Sequence, residues 1–249
     1  MCGRFVASRP VEEIARLLEV REVEVPRELS VARFNVAPQS SVLAVTEAHH
    51  DPGLRRLSVF RWGLVPWWAK DPSIGARAFN AKSETVSQRP MFRSALERQR
   101  CVVPADAFYE WARPQSAGAR GRKQPWCFKA KDSGLLLFGG LWENWRPRDD
   151  PTASPLRSCT ILTTDANESV APVHDRMPVL ITEEDLAEWL SPEPLAPGEL
   201  ERLVRPAPPG TLEAFRVSSQ VSDAREDGPE LIEPIATLED EADGPPQLF

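Results

Sequence analysis

The first four residues, Met1-Cys2-Gly3-Arg4, hold the most distinctive chemical group in this sequence. If Met1 is removed, Cys2 carries a free α-amine and a thiol on adjacent carbons, which together form a 1,2-aminothiol. The amine can form an imine with an aldehyde, and the thiol can then close a five-membered thiazolidine ring. Both groups titrate near neutral pH, because an α-amine has a pKa of about 8 and a thiol about 8.5. The alternative is that Cys2 is an ordinary second residue without a chemical role.

Two further side chains have sequence surroundings that suit proton transfer. Glu110 lies between Tyr109 and Trp111 at the end of an apolar run, and burial beside aromatic rings raises the pKa of a carboxyl group. Such a carboxyl suits general acid–base catalysis, whereas a salt bridge to an arginine at the rim of the fold is the structural alternative. His174 lies in a loop flanked by prolines, where a core-filling histidine is less expected, so we predict a role in a site.

A third feature combines aromatic and basic residues. Trp67 and Trp68 are adjacent, and neighbouring side chains on a helix or strand point in different directions, so at least one ring is expected to be exposed. Exposed rings near Arg77 would stack nucleobases; the alternative is that both pack beneath a loop. Residues 77–131 hold 12 Lys/Arg against 4 Asp/Glu, although the net charge is −7. This local excess is expected of a phosphate-binding surface, and a solvated basic face is the alternative.

The composition bounds the class of protein. With 249 residues, 41% hydrophobic and 27% charged, the chain has the composition of a soluble globular domain. It contains no apolar run of about 20 residues and no apolar leader, which predicts a cytoplasmic protein without a membrane partner. The four cysteines are scattered and only three histidines are present, so we expect no metal site and no cofactor. Cys101, Cys127 and Cys159 lie in apolar runs and are predicted to be buried.

The rest of the chain predicts an α+β fold with one domain, in which antiparallel strands curl into an open barrel-like core and helices pack outside. Residues 112–125 are predicted to form a hairpin tip, and the acidic residues 236–249 a disordered tail. The predicted strands lie at 41–46, 57–62, 101–111, 126–130, 135–142, 158–163, 179–181 and 214–217. The predicted helices run from a cap at Ser8 to about Val20, from Pro90 to about Arg100, and from a cap at Thr182.

Six segments together resemble the SRAP family (SOS response-associated peptidases), proteins that crosslink to abasic sites in single-stranded DNA. The segments run in order over roughly residues 1–235, which we therefore predict to form an SRAP-like domain. They are Met-Cys-Gly-Arg-Phe at 1–5, Phe-Asn-Val-Ala-Pro at 34–38, Trp-Gly-Leu-Val-Pro-Trp-Trp at 62–68, Asn-Ala-Lys-Ser-Glu-Thr at 80–85, Phe-Tyr-Glu-Trp at 108–111 and Val-His-Asp-Arg-Met-Pro at 173–178.

The resemblance implies a mechanism for a DNA-repair enzyme. After loss of Met1, the amine of Cys2 would attack the ring-opened aldehyde of an abasic deoxyribose, and the thiol would close a thiazolidine that protects the lesion. Asn80 would orient Cys2 or the sugar, and Glu110 would transfer protons at the amine and during ring closure. His174 would act as a general acid and base on the sugar hydroxyl.

The resemblance also implies a DNA surface and partners. Arg4, Arg77 and the Trp67-Trp68 pair would hold phosphates and stack flanking bases of single-stranded DNA with abasic sites. We expect a monomer in the cytoplasm, associated with the nucleoid if bacterial. The imine would also permit β-elimination, a weak lyase activity. Two alternatives remain open: an N-terminal-cysteine peptidase or amidohydrolase that could release Met1 itself, and a non-covalent single-stranded DNA-binding module.

Two segments depart from the family pattern. Residues 217–227 keep its outline but are more acidic than expected, which puts in doubt any DNA contact assigned to them. The loop 112–125 is long for the family, so its effect on strand or partner preference is open.

Overall fold

The computed structural model describes residues 2–48, 51–112, 123–150, 152–196 and 198–235. Met1, His49, His50, most of the loop 112–125 and the tail 236–249 lie outside the described residues. The predictions that Met1 is removed, that the loop forms a hairpin tip and that the tail is disordered therefore stay predictions. The strands that flank the loop, β8 and β9, do pair antiparallel up to Ala112 and Gln124.

The described residues form strands and a few short helices. The strands are β1 Phe5–Ala7, β2 Glu22–Glu24, β3 Arg33–Val36, β4 Ser41–Ala48, β5 Asp51–Trp62, β6 Asn80–Lys82, β7 Arg100–Ala105, β8 Ala107–Ala112, β9 Gln124–Ala130, β10 Leu136–Trp145, β11 Leu156–Asp165, β12 Arg176–Pro178 and β13 Leu212–Arg216. The helices are α1 Val11–Leu17, α2 Pro90–Arg98, α3 Leu186–Leu190 and α4 Glu199–Leu203. Single 3₁₀ turns lie at Arg27–Leu29, Pro72–Arg77, Ser83–Thr85, Ser219–Ser222 and Pro229–Ile232.

The strands form two sheets. A five-stranded sheet has the order β13-β9-β8-β1-β3, and an eight-stranded sheet has the order β12-β11-β10-β7-β4-β5-β2, with β6 paired to β11. In the larger sheet β5 also pairs with β11 through Arg61–Ser158 and Trp62–Cys159, so the sheet curls until its strands meet. Most pairs are antiparallel, but β2–β5, β5–β11 and β6–β11 are parallel. The predicted α+β domain with a curled, barrel-like core is confirmed.

Alternating side chains divide the protein into layers. One face of the curled sheet carries the helices: Ile14 of α1, Phe92 of α2 and Trp189 of α3 share a core with Leu57 and Leu141 of the sheet. The opposite face packs on the five-stranded sheet, where phenylalanines of both sheets meet. A third core lies on the outer face of the five-stranded sheet, under the C-terminal residues 217–232. The second core, between the two sheets, contains Cys2.

Some predicted elements begin or end elsewhere. Helix α1 begins at Val11 rather than at a Ser8 cap, because the amide and hydroxyl of Ser8 both donate to Asp106 Oδ2 instead. It ends at Leu17 rather than Val20, and Glu19 follows with a left-handed backbone (φ 50°). The strand predicted at 179–181 lies three residues earlier, at Arg176–Pro178. Strand β5 begins at Asp51, six residues before the predicted start at Leu57.

Two other predictions concern helix starts and buried cysteines. Pro90 opens α2 at its first turn, as predicted. The N-cap of α3 is Asp185 rather than the predicted Thr182, whose Oγ1 accepts from the amide of Asp185 (3.2 Å) in the turn before the helix. Cys101, Cys127 and Cys159 are completely buried and unpaired with each other. None of the described helices is both long and apolar enough to cross a membrane.

Candidate active site

Cys2 lies buried between the two sheets, three residues before β1. Its exposed fraction is 0%, and its Sγ lies 3.9 Å from the carbonyl oxygen of Arg4. Burial raises the pKa of the thiol above its usual range, and the nearby charge of Glu110 raises it further. A thiol in these surroundings stays protonated at neutral pH, so it needs a base before it can act as a nucleophile.

Asn80 holds Cys2 from the side of the curled sheet. Its Nδ2 donates to the carbonyl oxygen of Cys2 at 2.7 Å. The residue begins β6, which pairs in parallel with β11, and Trp62 Nε1 donates to the carbonyl of the preceding Phe79 (2.8 Å). Asn80 Oδ1 is buried and has no hydrogen-bond partner among the described residues. A buried acceptor without a donor is costly, so this oxygen is available to an N–H or O–H group that enters the site.

Glu110 belongs to the five-stranded sheet and faces the core that contains Cys2. It lies on β8 between Tyr109 and Trp111, which point to the outer face, and it is only 3% exposed. Burial raises the pKa of its carboxyl from the ordinary 4.5 to about 7, and the charge of Asp175 adds to the increase. A carboxyl with this pKa exchanges protons readily at neutral pH. The predicted rise of the pKa by burial is therefore confirmed, but the burial comes from the packing of the two sheets and not from the rings of Tyr109 and Trp111, which face away.

His174 lies beside Glu110, with Nε2 3.9 Å from Oε2. Its Nδ1 accepts a hydrogen bond from the amide of Arg176 at 3.0 Å, and the same Nδ1 lies 3.0 Å from Asp175 Oδ1. A neutral Nδ1 can accept from the amide but cannot also donate to the carboxylate. The amide is fixed in the backbone whereas the Asp175 side chain is 83% exposed, so we assign the proton of the neutral imidazole to Nε2, toward Glu110.

The loop that carries His174 is anchored by the residue two positions later. The Arg176 guanidinium donates to both carboxylate oxygens of Glu84 (2.6 and 2.9 Å), to Asp165 Oδ1 (2.7 Å) and to the carbonyl of Thr163 (2.6 Å). Glu84 follows Asn80 closely in the chain, so this bidentate ion pair joins the segments that hold Asn80 and His174.

Trp67 is the exposed member of the tryptophan pair, with 61% of its surface accessible, whereas Trp68 is partly buried. The prediction that at least one ring is exposed is confirmed. The turn is fixed by close backbone approach: a Cβ on Gly63 would lie 2.5 Å from the carbonyl oxygen of Gly75, and Gly63 has a φ of +147° that side chains rarely adopt. This contact places the tryptophan turn beside the 3₁₀ turn that ends at Arg77, which is also exposed.

Arg4 lies on the other face of the five-stranded sheet. Its carbonyl accepts from the amide of Tyr109 (3.0 Å), and its guanidinium lies 6.0 Å from the centre of the Trp111 ring. Nη1 donates to Asn35 Oδ1 (2.8 Å) and to the carbonyl of Val221 (2.7 Å). The structure thus brings Cys2, Asn80, Glu110 and His174 together, and it turns the Arg4 side chain away from them.

Sequence reasoning missed two residues that support the site. In the sequence Arg176 is one residue of the Val-His-Asp-Arg-Met-Pro segment at 173–178. Its position directly after His174-Asp175 is the one signal that could have suggested an ion pair with an acidic residue. Asn35 stands in Phe-Asn-Val-Ala-Pro, where nothing local indicates that its side chain is 2% exposed and hydrogen-bonded.

The arrangement can perform proton transfer around a cysteine. A carboxyl with a pKa near 7 and an imidazole face each other beside a buried thiol, and an amide holds the cysteine carbonyl. Within the described ranges, no three His, Cys, Asp or Glu side chains are grouped so that they could hold a metal ion.

Comparison with known proteins identifies relatives over almost the whole chain. The family model described as SOS response associated peptidase (SRAP) matches residues 1–224. The chain is 40% identical over 235 residues to "Abasic site processing protein YoqW" of Bacillus subtilis (strain 168), covering 94% of this chain and 99% of the relative. It is 32% identical to "Abasic site processing protein HMCES" of Gallus gallus, covering 94% of this chain and 78% of the relative.

The same comparison extends to solved structures. A crystal structure of a protein from Bacteroides thetaiotaomicron has a TM-score of 0.81 at 22% identity, covering 94% of this chain and 100% of that one. One from Bordetella bronchiseptica has a TM-score of 0.68 at 23% identity, with 87% of this chain covered. These two show a shared fold. The family match and the relatives at 32–40% identity establish that this chain belongs to the SRAP family.

Proposed function

We propose that this protein processes abasic sites in single-stranded DNA and forms a covalent thiazolidine crosslink through Cys2 once Met1 is removed. The crosslink would mark the lesion and protect the strand from cleavage. The observation that carries the proposal is the placement of Cys2, whose carbonyl is held by Asn80 (2.7 Å) beside the Glu110–His174 pair. The names of the relatives, abasic site processing proteins, support the class of substrate.

The proposed reaction joins one aldehyde and one aminothiol with the loss of one water molecule. The neutral amine of Cys2 adds to the aldehyde carbon of the ring-opened deoxyribose, which forms a C–N bond and a hydroxyl. Loss of that hydroxyl as water leaves an imine. The thiol sulfur then adds to the imine carbon, forming the C–S bond, and its proton ends on the ring nitrogen. No oxidant or reductant is needed.

The pKa values of the site suit this order of steps. Burial keeps the Cys2 thiol protonated, so the amine adds first and the thiol must lose its proton at ring closure. Glu110, with its pKa raised to about 7, can accept that proton and return it to the nitrogen. The same carboxyl, when protonated, can donate to the leaving hydroxyl. One residue thus serves as an acid and then as a base.

His174 would open the sugar. An abasic deoxyribose is mostly a closed ring, and its aldehyde appears when a base removes the hydroxyl proton at C1′ while an acid protonates the ring oxygen. The hydrogen bond from the Arg176 amide to Nδ1 places the His174 proton on Nε2, which allows Nε2 to donate to the ring oxygen. Asn80 Oδ1, a buried acceptor, would orient the Cys2 amine or a sugar hydroxyl.

The DNA would lie along the basic and aromatic surface. The exposed Trp67 ring would stack on a base, with Trp68 beneath it and Arg77 on a phosphate. Arg4 donates mainly to protein acceptors, so any phosphate contact would use its remaining donors. We propose that residues 1–235 act as a monomer, in the cytoplasm or on the nucleoid of a bacterium.

The decisive experiment is an adduct assay. Purified protein, with Met1 loss verified by intact mass, is incubated with single-stranded DNA that carries one abasic site and resolved on a denaturing gel after heating. The expected product is a heat-stable adduct whose mass is that of protein plus DNA minus one water. Cys2→Ala should form none, whereas Cys127→Ala, which removes another buried cysteine, should react like the wild type. Absence of an adduct with fully processed wild type would refute the proposal, and an intact adduct in Cys2→Ala would refute the thiazolidine.

Two further activities belong to the same chemistry. The imine would permit β-elimination of the 3′ phosphate, so a weak lyase activity is part of the proposal and would appear as cleaved strand in the same gel. The family description names a peptidase, and hydrolysis of the Met1–Cys2 bond by Glu110 and Cys2 is the corresponding second candidate. In protein made without a methionine aminopeptidase, it predicts loss of Met1 in the wild type and retention of Met1 in Glu110→Gln.

A further inference from the structure

The N-terminal segment that carries Cys2 is held from two sides. Asn80 holds the Cys2 carbonyl from the curled sheet. On the other side, the Arg4 guanidinium lies on the outer face of the five-stranded sheet. There it donates to Asn35 Oδ1 (2.8 Å) and to the Val221 carbonyl (2.7 Å). Chain ends fray unless contacts tie them down. The contacts of Arg4 are therefore the second anchor of the proposed nucleophile.

Asn35 is the centre of this second anchor. It lies on β3, is 2% exposed, and uses both ends of its amide. Oδ1 accepts from Arg4, while Nδ2 faces three carbonyl oxygens, those of Val221 (3.2 Å), Asp223 (2.9 Å) and Glu226 (2.8 Å). Among neutral side chains, only a primary amide combines a carbonyl acceptor with two N–H donors, so it can accept from a guanidinium and donate to two carbonyls at the same time.

The carbonyls belong to residues 217–235, which we call the C-terminal strap. Val217, Val221 and Leu231 of the strap are buried against Val6 and Tyr109 on the outer face of the sheet. Asp227 Oδ1 of the strap accepts from the amides of Phe34 and Asn35 on β3. The acidic character that sets this segment apart in the sequence thus serves a contact within the protein at Asp227.

We propose that Asn35, held by the C-terminal strap, is a positioning residue for the Cys2 nucleophile. It acts through Arg4: the strap fixes Asn35, Asn35 fixes the Arg4 guanidinium, and Arg4 fixes the backbone that leads to Cys2. This inference rests on the proposed function, because it concerns the same reaction. A displacement of about 1 Å at a reacting group can slow a reaction by about a hundredfold, so loosening this anchor should reduce the rate of ring closure without removing any DNA contact.

The test compares two buried positions that both secure the strap. Asn35→Ala removes the Asn35–Arg4 hydrogen bond and leaves Arg4 with its bonds to the strap carbonyls of Val221 and Ser222. Leu231→Ala removes packing of the strap and leaves the Asn35–Arg4 hydrogen bond in place. Crosslinking is measured in single turnover at saturating abasic-site DNA, and affinity is measured with DNA that carries a tetrahydrofuran analogue, which has no aldehyde. Asn35→Ala should lower the saturated rate by between about tenfold and a hundredfold, with affinity within about twofold. Leu231→Ala, assayed at a temperature where both variants are folded, should keep the wild-type rate.

A double-variant cycle shows whether the effect passes through Arg4. If Asn35 acts only through Arg4, then Arg4→Ala and the double variant Arg4→Ala/Asn35→Ala should have the same saturated rate, because coupled residues are not additive. If Asn35→Ala does not fold, Asp227→Ala replaces it, because Asp227 Oδ1 accepts from the backbone amide of Asn35 itself (3.1 Å). This change loosens Asn35 while the apolar packing of the strap stays, and it should also lower the saturated rate.

Each outcome bears on one proposal. Asn35→Ala that crosslinks at the wild-type rate, multiplicative losses in the cycle, or an equal loss in Leu231→Ala would overturn the positioning role and leave the proposed function standing. A processed wild-type protein that forms no adduct would overturn the proposed function, and this inference with it.

Discussion

Replacing Glu110 with glutamine should make the protein more stable at high pH and less active. The side chain keeps its shape, but the buried group no longer ionises. Glu110 is 3% exposed and its pKa is raised by burial from 4.5 to about 7. The folded state therefore holds this proton more tightly than the unfolded state does. Stability of the wild type must fall as the pH rises from the unfolded to the folded pKa, and it stays lower above pH 7.

The size of the effect follows from the two pKa values. A pKa difference of one corresponds to about 1.4 kcal/mol, so ionised Glu110 costs about 3 kcal/mol of unfolding free energy at pH 8. At pH 4 the carboxyl is protonated in both states and the cost is close to zero. The stability gain of Glu110→Gln over wild type should therefore grow from nearly nothing at pH 4 to about 3 kcal/mol at pH 8.

Urea unfolding at several pH values, followed by tryptophan fluorescence in the presence of reductant, measures this gain. Glu143→Gln is a matched control. Glu143 is also 3% exposed, and burial also raises its pKa to about 7. It shares the face of β10 with Leu141, under the helices and away from the core that contains Cys2. Both variants should gain stability at pH 8, and only Glu110→Gln should slow crosslinking.

Two results would refute this reasoning. If the stability of Glu110→Gln relative to wild type is the same at pH 4 and pH 8, the carboxyl is not held at a raised pKa by burial. If Glu143→Gln slows crosslinking as much as Glu110→Gln does, the loss of rate comes from a general change in the protein rather than from proton transfer at the site.

Three other substitutions have expected outcomes. His174→Ala should slow crosslinking by about a hundredfold with little change in affinity for the tetrahydrofuran analogue; an equal loss of both would contradict its role in ring opening. Trp67→Ala removes a ring that is 61% exposed, so it should weaken DNA binding by about 1–3 kcal/mol in a fluorescence anisotropy titration and leave the thermal midpoint unchanged. Arg100→Met should cost about 3 kcal/mol or more of unfolding free energy in urea, because five carbonyls near the ends of α2 and α3 lose their donor; a loss below about 1 kcal/mol would contradict this count.

The burial and the hydrogen bonds of Arg100 could not be predicted from its position in the sequence. It is 1% exposed and its pKa is lowered by burial to about 10, so it remains charged at neutral pH. Its guanidinium donates to the backbone carbonyls of Leu96 and Glu97 in the last turn of α2. It also donates to the carbonyls of Trp189, Ser191 and Glu193 at and just after the end of α3. A positive charge at two helix C-termini interacts favourably with the partial negative charge of the helix dipoles there. In the sequence, Arg100 is distinguished only as a basic residue at the end of the predicted helix.

The sequence by itself determined most of the longer strands, the burial of the cysteines and the burial of Glu110, because each depends on apolar neighbours along the chain. Apolar runs predict a strand that packs, and a carboxyl in such a strand loses water when the strand is buried, which raises its pKa. The short strands β1, β2, β3 and β6 carry too few apolar residues to be predicted in this way. The ordered motifs also identified the family, since six segments at the right spacing do not arise from composition alone.

Only the tertiary structure decided which of the candidate residues meet. Cys2, Asn80, Glu110 and His174 come from four segments, joined by the β6–β11 pairing, the packing of one sheet on the other and the Arg176–Glu84 ion pair. The predicted cap at Ser8 does not form because the Asp106 carboxylate, 98 residues later in the chain, accepts from both the amide and the hydroxyl of Ser8. The internal contacts of the acidic strap could not be predicted for the same reason, since its partners Arg4 and Asn35 lie about two hundred residues earlier. Long-range hydrogen bonds and burial are properties of the packed chain, and no local pattern records them.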